Sequence, residues 1–327
     1  MSRFRQTVAL AGLTALEVLR QPVCLLLVLV SVTLTALLPF LILHRFGEDG
    51  KLVRDSAFAL HAVFGIFVAG YAATTALSRE IRRGTAAAVL SKPVSRDLLF
   101  LAKFIGVVGV VAVFSLCAGL TTLLAERIAE RFVTRDGMVG YVTDAQTGTL
   151  LLLTILLACI AGAIVNYRRR RPFGSITITA LLAGLITCIL VAACFERSGT
   201  WAPFASRLDW RLVPVSLLVT MALVLMSALA MALSTVLGTV PTLATCSAVF
   251  TLGMMSDYLF GRHAAASLWA RLLYSVLPNW QHFWVCDQLN AGGRVSGGYV
   301  GLATLYALVY AAALLCLGLV VFRQKDV

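Results

Sequence analysis

Apolar residues fall in long blocks along this chain, separated by short polar and charged stretches. A helix that crosses a bilayer core needs about 20 mostly apolar residues. Eight blocks meet that length, at 23–43, 57–77, 104–125, 148–166, 174–195, 213–233, 238–259 and 299–322. They predict an all-α, polytopic helical bundle. Residues 1–22 differ. Phe4, Val8, Leu13, Leu16 and Leu19 recur at near-helical spacing among Arg3, Arg5, Gln6, Glu17 and Arg20. That pattern predicts an amphipathic helix lying on the membrane interface. The first long block is not a signal-peptide core, because its apolar run is long and no small-residue cleavage site follows it.

The pair 213–233 and 238–259 is separated only by Ser234–Leu237. One broken helix in their place would change the count and invert everything after it. The basic C-terminal run Phe322–Val327 favours two spans. Residues 23–327 therefore read as a single transmembrane domain, with a cytoplasmic segment at 78–103 and an outer aromatic loop at 260–298.

Composition agrees. The chain is 60% hydrophobic and only 13% charged, about half the charged share of a soluble domain. Its formal charge of +12 would suit nucleic acid, but no basic stripe with interleaved aromatics occurs in a soluble segment. Nucleic acid is not an expected partner. Anionic membrane lipid beside basic cytoplasmic loops is. With both termini inside, the cytoplasmic pieces hold 15 Lys/Arg against 4 acids, and the outer loops hold 12 against 11. This asymmetry fixes an orientation, and Arg168–Arg171 contributes most sharply.

Seven of the eight cysteines lie in or at the end of apolar runs and none forms a CxxC pair, so they read as small packing residues. Cys194 and Cys286 both fall towards the outer face, where one disulfide is conceivable but has no further support. Gly50–Lys51 lacks the rest of a phosphate-binding loop. There is no HExxH, and His44, His61, His263 and His282 are scattered, which disfavours zinc chemistry. No metal site and no catalytic residue is expected. His61 and Asp257 are placed near outer span ends, as interfacial residues rather than proton relays.

The segment Ser78–Lys103 carries six Lys/Arg against two acids. Gly84–Thr85 can break a helix. Pro93 forces a bend and restricts Lys92 before it. Ser95 is suited to cap a helix that leads into the next span. The result is either a short basic elbow that receives a soluble partner or an ordinary basic juxtamembrane loop. In the outer loop, Trp269, Tyr274, Trp280, Phe283 and Trp284 suit interfacial anchoring, or a lid over an outward exit near Pro278–Trp284.

The pattern Arg79-Glu80-(x)3-Gly84-Thr85-(x)4-Leu90-Ser91-Lys92-Pro93-Val94-Ser95-Arg96, then Leu101-(x)-Lys103-Phe104-(x)-Gly106, resembles the coupling region of permeases in the type-2 ABC transporter family. Those serving copper-site maturation of nitrous oxide reductase are the nearest comparison. Leu277-Pro278-Asn279-Trp280-Gln281-(x)-Phe283-Trp284-(x)2-Asp287 with Phe322-Arg323 resembles their C-terminal end. Gly253-(x)2-Ser256-Asp257-Tyr258 and Ser234-Thr235-(x)-Leu237-Gly238 resemble their penultimate region.

The resemblance implies a permease subunit of an exporter-like complex with no ATPase activity of its own. A separate P-loop ATPase subunit would carry ATP and Mg, and a second permease subunit would complete the complex. It implies that Glu80, Gly84, Thr85, Leu90, Lys92, Pro93 and Arg96 dock the ATPase. Pro278, Asn279, Trp280, Phe283 and Trp284 are the lid candidates. The family commonly has six spans, so the reading of eight implies an additional hairpin around 148–195. A prokaryotic cytoplasmic membrane is the expected location. The rival readings are an ion-coupled carrier or channel and a non-transport assembly factor; an ATPase reading frame beside this one discriminates against both.

Overall fold

The computed structural model describes residues 3–41, 50–77, 95–129, 131–135, 138–195, 201, 203–204, 208–263, 265, 267–290 and 293–324. Among these, seven helices are long and apolar enough to cross a membrane, and a bent helix pair brings the number to as many as eight. A short helix α1 (Arg3–Leu19) precedes them. The long helices are α2 (Pro22–Leu41), α3 (Lys51–Ala76), α4 (Arg96–Ile128), α5 (Ala145–Arg169), α6 (Phe173–Cys194), α7 (Leu212–Ser234) and, after the bent pair, the last helix Gly297–Gln324. The bent pair joins α8 (Thr239–Met254) to Ser256–His263 at 64°. It comprises α9 (Ser256–Leu259) and a 3-10 turn, Gly261–His263. Then come α10 (Leu268–Val276), a second 3-10 turn (Trp280–Phe283), α11 (Cys286–Asn290) and the last helix, α12.

The all-α bundle predicted from the apolar blocks is the architecture observed. Several helices outrun their blocks. α4 has 33 residues, about 50 Å at 1.5 Å per residue, against a hydrocarbon core of about 30 Å. Hydropathy marks the part that lipid covers; the backbone ladder continues through Asp97 and Lys103 at one end and Glu126 and Arg127 at the other.

The block at 238–259 is not one straight span. α8 has 16 residues, about 24 Å, and the chain turns at Met255. One small β element also departs from the predicted pattern. β1 (Arg131–Arg135) and β2 (Met138–Val142) pair antiparallel, with Arg135 opposite Met138. The intervening sequence is Asp136-Gly137, a pair suited to two-residue hairpins.

α3 and α4 form the centre, packed on each other and on α2 and α7. Ala62, Ala69, Ala72, Ala73 and Ala76 on α3 are all buried, and small residues let membrane helices approach closely. α5 pairs mainly with α6, and α12 mainly with α7. The outward faces of α5 and α12 remain apolar and exposed, including Leu153, Leu156, Leu157, Leu305 and Val309.

The chain passes back and forth, so the N-terminal end of α4, the α5–α6 turn and the C-terminal end of α12 share one end of the bundle, here the elbow end. At that turn Arg168 and Arg169 occupy the last turn of α5, where cations favour the negative end of the helix dipole. Arg170 takes the left-handed conformation with φ 54°, and Asn166 Nδ2 donates to the Arg171 carbonyl at 2.7 Å.

Candidate functional site

At the elbow end, α3 closes with Leu77, whose N–H reaches the Ala73 carbonyl at 3.1 Å. α4 opens on Ser95, whose Oγ accepts from Leu98 N–H at 3.3 Å, the cap its sequence predicts. Lys103, two turns into α4 and 4% exposed, donates from Nζ to the Ala76 carbonyl at 2.8 Å. An ammonium at the last carbonyls of a helix is held by hydrogen bonding and by the dipole together. The two ends of the elbow are thereby tied to each other.

α12 adds a second tie. Arg323 Nε donates to Asp97 Oδ1 at 2.7 Å, Arg323 Nη2 pairs with Asp97 Oδ2, and Arg96 Nη1 donates to the Arg323 carbonyl at 3.1 Å. Beneath them Phe100 and Phe322, both fully buried, pack with ring centroids 5.7 Å apart. α1 supplies the third tie by crossing α4 at Gly106. A Cβ there would lie 2.6 Å from the Ala11 carbonyl oxygen, so only glycine permits the crossing. Ala11, Thr14 and Val18 form the buried face of α1. Phe4, Val8, Leu13 and Leu16, from the apolar set that predicted the helix, are exposed.

Of the predicted docking residues, Arg96 stands in this base. Glu80, Gly84, Thr85, Leu90, Lys92 and Pro93 lie outside the described residues. No local pattern in the sequence marks Asp97, Arg323 and Lys103 as the residues that fix this base. Asp97 and Arg323 are 226 positions apart, and only the return of α12 to this end joins them.

At the opposite end, Pro278–Trp284 packs into the bend after α8. Trp280 and Phe283 are each 2% exposed, so they are core side chains and not interfacial anchors; Trp269 and Tyr274 are exposed. Asn279 organises the bend. Its N–H donates to Tyr306 Oη at 3.0 Å, its Nδ2 to Asp257 Oδ1 at 3.1 Å, and its Oδ1 accepts from Gln281 N–H at 2.9 Å. Gln281 Nε2 satisfies the Met254 carbonyl at 2.8 Å where the helix breaks. A Cβ on Gly253 would overlap the Pro278 carbonyl and the Trp280 ring, which explains the glycine in this stretch. Tyr274 Oη donates to Asp257 Oδ1 at 2.8 Å, and that bond holds the Tyr274 proton above its ordinary pKa. Trp284 is half-buried beside the segment.

Charged groups also converge here. Arg127, 2% exposed, donates from Nε to Asp144 Oδ2 at 2.9 Å, from Nη2 to the Phe195 carbonyl at 2.7 Å, and from Nη1 to the Ala192 carbonyl. It joins the end of α4 to the start of α5 and the end of α6. Arg54 pairs with Glu126 at 3.9 Å, and Arg211 pairs with Asp209 at 2.7 Å. The Arg211 hydrogen bond holds the Asp209 carboxyl below the usual carboxylate range.

One further expectation is corrected. His61 is not interfacial. It lies ten residues into α3 and is fully buried, its ring edge-on to Phe114 at 5.6 Å and both nitrogens without a partner. All eight cysteines are free, so Cys194 and Cys286 form no disulfide. Burial pushes the Cys286 thiol up to about 12.

Residues 19–185, just over half of the chain, match the protein-family model described as ABC-2 family transporter protein. The match spans α2 to the middle of α6 and contains the whole of 78–103. Comparison with curated proteins and with solved structures finds no match.

Proposed function

Because the chain belongs to the ABC-2 transporter family, we propose that it is the membrane subunit through which a separate P-loop ATPase drives transport, with residues 78–103 as the docking elbow. Family membership makes it an integral membrane permease subunit and implies partnership with an ATPase subunit. ATP and Mg belong to that partner, and two permease subunits complete the assembly. Both termini face the cytoplasm, and the membrane is the prokaryotic cytoplasmic one. The elbow and C-terminal motifs support kinship with permeases of nitrous oxide reductase copper-site maturation.

The observation that carries the coupling role is the three-way pinning of the elbow's base. A push on an elbow with loose ends would dissipate in the loop. Here α3 and α4 are held together by Lys103, and α4 is held to α12 by Asp97 and Arg323. Force on 78–94 therefore moves the two central helices. An ATPase that binds both bundle states equally shifts nothing. Moving a bundle from 1:99 to 99:1 requires about 5.5 kcal/mol of differential affinity, which docking and ATP binding must supply. At the other end, Pro278, Asn279, Trp280, Phe283 and Trp284 close the bundle, and opening there means withdrawing Trp280 and Phe283 from the core.

The test is a mild-detergent pull-down of the full chain from its native locus. A P-loop ATPase should be recovered in near-stoichiometric amount. Gly84→Pro, Lys92→Glu, and Lys92→Glu with Arg96→Glu should each lose it while the chain still inserts. Lys92→Glu alone is the cleaner variant, because Arg96 also holds the Arg323 carbonyl. Undiminished ATPase recovery with all three variants would sink the docking assignment. For orientation, reporters fused after Arg171 should report cytoplasm and those after Arg207 the outside; the reverse pattern would overturn it.

A further inference from the structure

Hydropathy reads residues 260–298 as an outer loop, yet α10 within it presents a face suited to hydrocarbon. Leu268, Trp269, Leu272, Leu273 and Val276 fall at i, i+1, i+4, i+5 and i+8, one stripe of a helix. All five are exposed. Tyr274, on the other side of α10, turns back to Asp257.

Three tyrosines set the depth of this segment against α12. Tyr299 Oη donates to the His282 carbonyl at 2.8 Å, Tyr306 Oη accepts from Asn279 N–H at 3.0 Å, and Tyr310 Oη donates to the Ser275 carbonyl at 2.8 Å. Residues 275–282 therefore run antiparallel to α12, with Ser275 the deepest of the three contacts. About 30 Å of hydrocarbon counted from Phe322 at 1.5 Å per residue ends near Leu302. Tyr310 lies about 12 Å below that edge. A tyrosine leaning wholly outward reaches back only about 6 Å, so the Ser275 end of α10 lies about 6–12 Å inside the hydrocarbon. Tilt of α12 would move the edge towards Gly297 and deepen α10 further.

The local bonding fits that depth, because backbone carbonyls in hydrocarbon need partners. In the last turn of α10 the Arg271 carbonyl accepts from Ser275 Oγ at 2.8 Å and the Leu273 carbonyl from Leu277 N–H at 2.9 Å, while Tyr310 takes that of Ser275. On the Tyr274 side, Asp257, Tyr258, Arg262 and Gln281 help to line a polar cavity of about 580 Å³. Irregular backbone at membrane depth is tolerated beside such a space.

We propose that residues 255–276 form a re-entrant segment, which lays α10 into the leaflet at the end opposite the elbow with its apolar stripe against lipid acyl chains. α8 covers about 24 Å, short of a core of about 30 Å, so the chain turns back before leaving it. Leu305 and Val309, which flank Tyr306 and Tyr310 on α12, are apolar and exposed, so lipid reaches this depth beside the segment. The five side chains would be costly against water and are stabilised by hydrocarbon. This reading needs membrane insertion only and is independent of the ATPase partner.

The experiment reconstitutes the full chain, without a partner, in vesicles of dioleoyl phosphatidylcholine or of the same lipid brominated at its double bonds. Bromine in mid-leaflet quenches tryptophan on contact. The brominated lipid should lower the fluorescence, and Trp269→Phe should remove roughly a quarter or more of that loss, since Trp280 is buried. Val276→Cys should react with a membrane-impermeant maleimide about tenfold more slowly than Arg262→Cys, each read above the unsubstituted chain, because hydrocarbon excludes the reacting thiolate. Undiminished quenching in Trp269→Phe, or equal labelling of the two cysteines, would overturn the proposal. So would an oxidative cross-link between two Val276→Cys chains without quenching of Trp269, which would mark a contact between copies of this chain.

Discussion

Asp144 tests the clamp at the end opposite the elbow, because one carboxylate does two separable jobs there. Its Oδ1 caps α5 by accepting Thr147 N–H at 2.9 Å, and its Oδ2 receives Arg127 Nε at 2.9 Å. Both side chains are 2% exposed. Asp144→Asn keeps an acceptor for the cap and removes the negative charge, which takes the carboxylate away from the buried Arg127 guanidinium. Breaking a buried pair on one side costs about 3–5 kcal/mol. With unfolding entropy of about 2.1 cal/mol/K per residue over 327 residues, each kcal/mol moves the midpoint by roughly 1.5 °C. The variant should therefore melt roughly 4–7 °C below wild type. Asp144→Ala should fall further, by about 1 kcal/mol for the lost cap. Arg127→Leu with Asp144→Asn removes both charges, so it should recover at least half of the loss. Intrinsic tryptophan fluorescence on detergent-purified protein reads all three. A drop of less than about 1 °C for Asp144→Asn, or a double variant no better than the single, would refute the clamp.

His61→Phe replaces a buried ring with two unpaired nitrogens by an apolar one of similar shape, so it should raise the midpoint by the equivalent of about 1–3 kcal/mol; a fall would show that His61 has a partner. Gly106→Ala should displace α1, since its Cβ meets backbone at 2.6 Å. The overpacking cost is about 1–3 kcal/mol, and protease cleavage between α1 and α2 should rise; unchanged cleavage refutes the crossing. Asn279→Ala removes two side-chain hydrogen bonds at the α8 bend and should cost about 1–3 kcal/mol, with increased labelling of a cysteine placed at Trp280; an unlabelled site argues against the hinge. Asp209 has a folded pKa below its ordinary value. Its contribution is complete above the ordinary carboxylate range and is lost as pH falls through the folded value. Wild-type stability should therefore drop on acidification below about pH 4, and Asp209→Asn should flatten part of that limb; identical acid limbs refute the pairing.

Most of the architecture is legible in the blocks of apolar residues, because a bilayer forces each span into a helix that satisfies its own backbone. The Ser95 cap is legible for a similar reason: a hydroxyl three residues before an open N–H is a local arrangement. The Asp136-Gly137 pair in the sequence between β1 and β2 is an equally local signal, and hydropathy masks it. What escaped were contacts between distant positions. Block 238–259 reads as one span, yet it bends at Met255 because Pro278–Trp280 fills the space beside Gly253. Trp280 and Phe283 read as interfacial aromatics, yet they are core because the loop folds inward.

The amino-acid sequence by itself determined that the chain is a bundle of membrane helices, where most of those helices begin and end, and which segment between them carries the densest basic charge. Those properties depend on transfer from water to lipid and on hydrogen bonds within a few residues. Tertiary structure alone decided that Lys103 closes α3, that Asp97 meets Arg323, that Arg127 joins three helices, and that His61 lies in the core and not at its rim. Each depends on which helix faces which, and packing sets that only once all the helices are present.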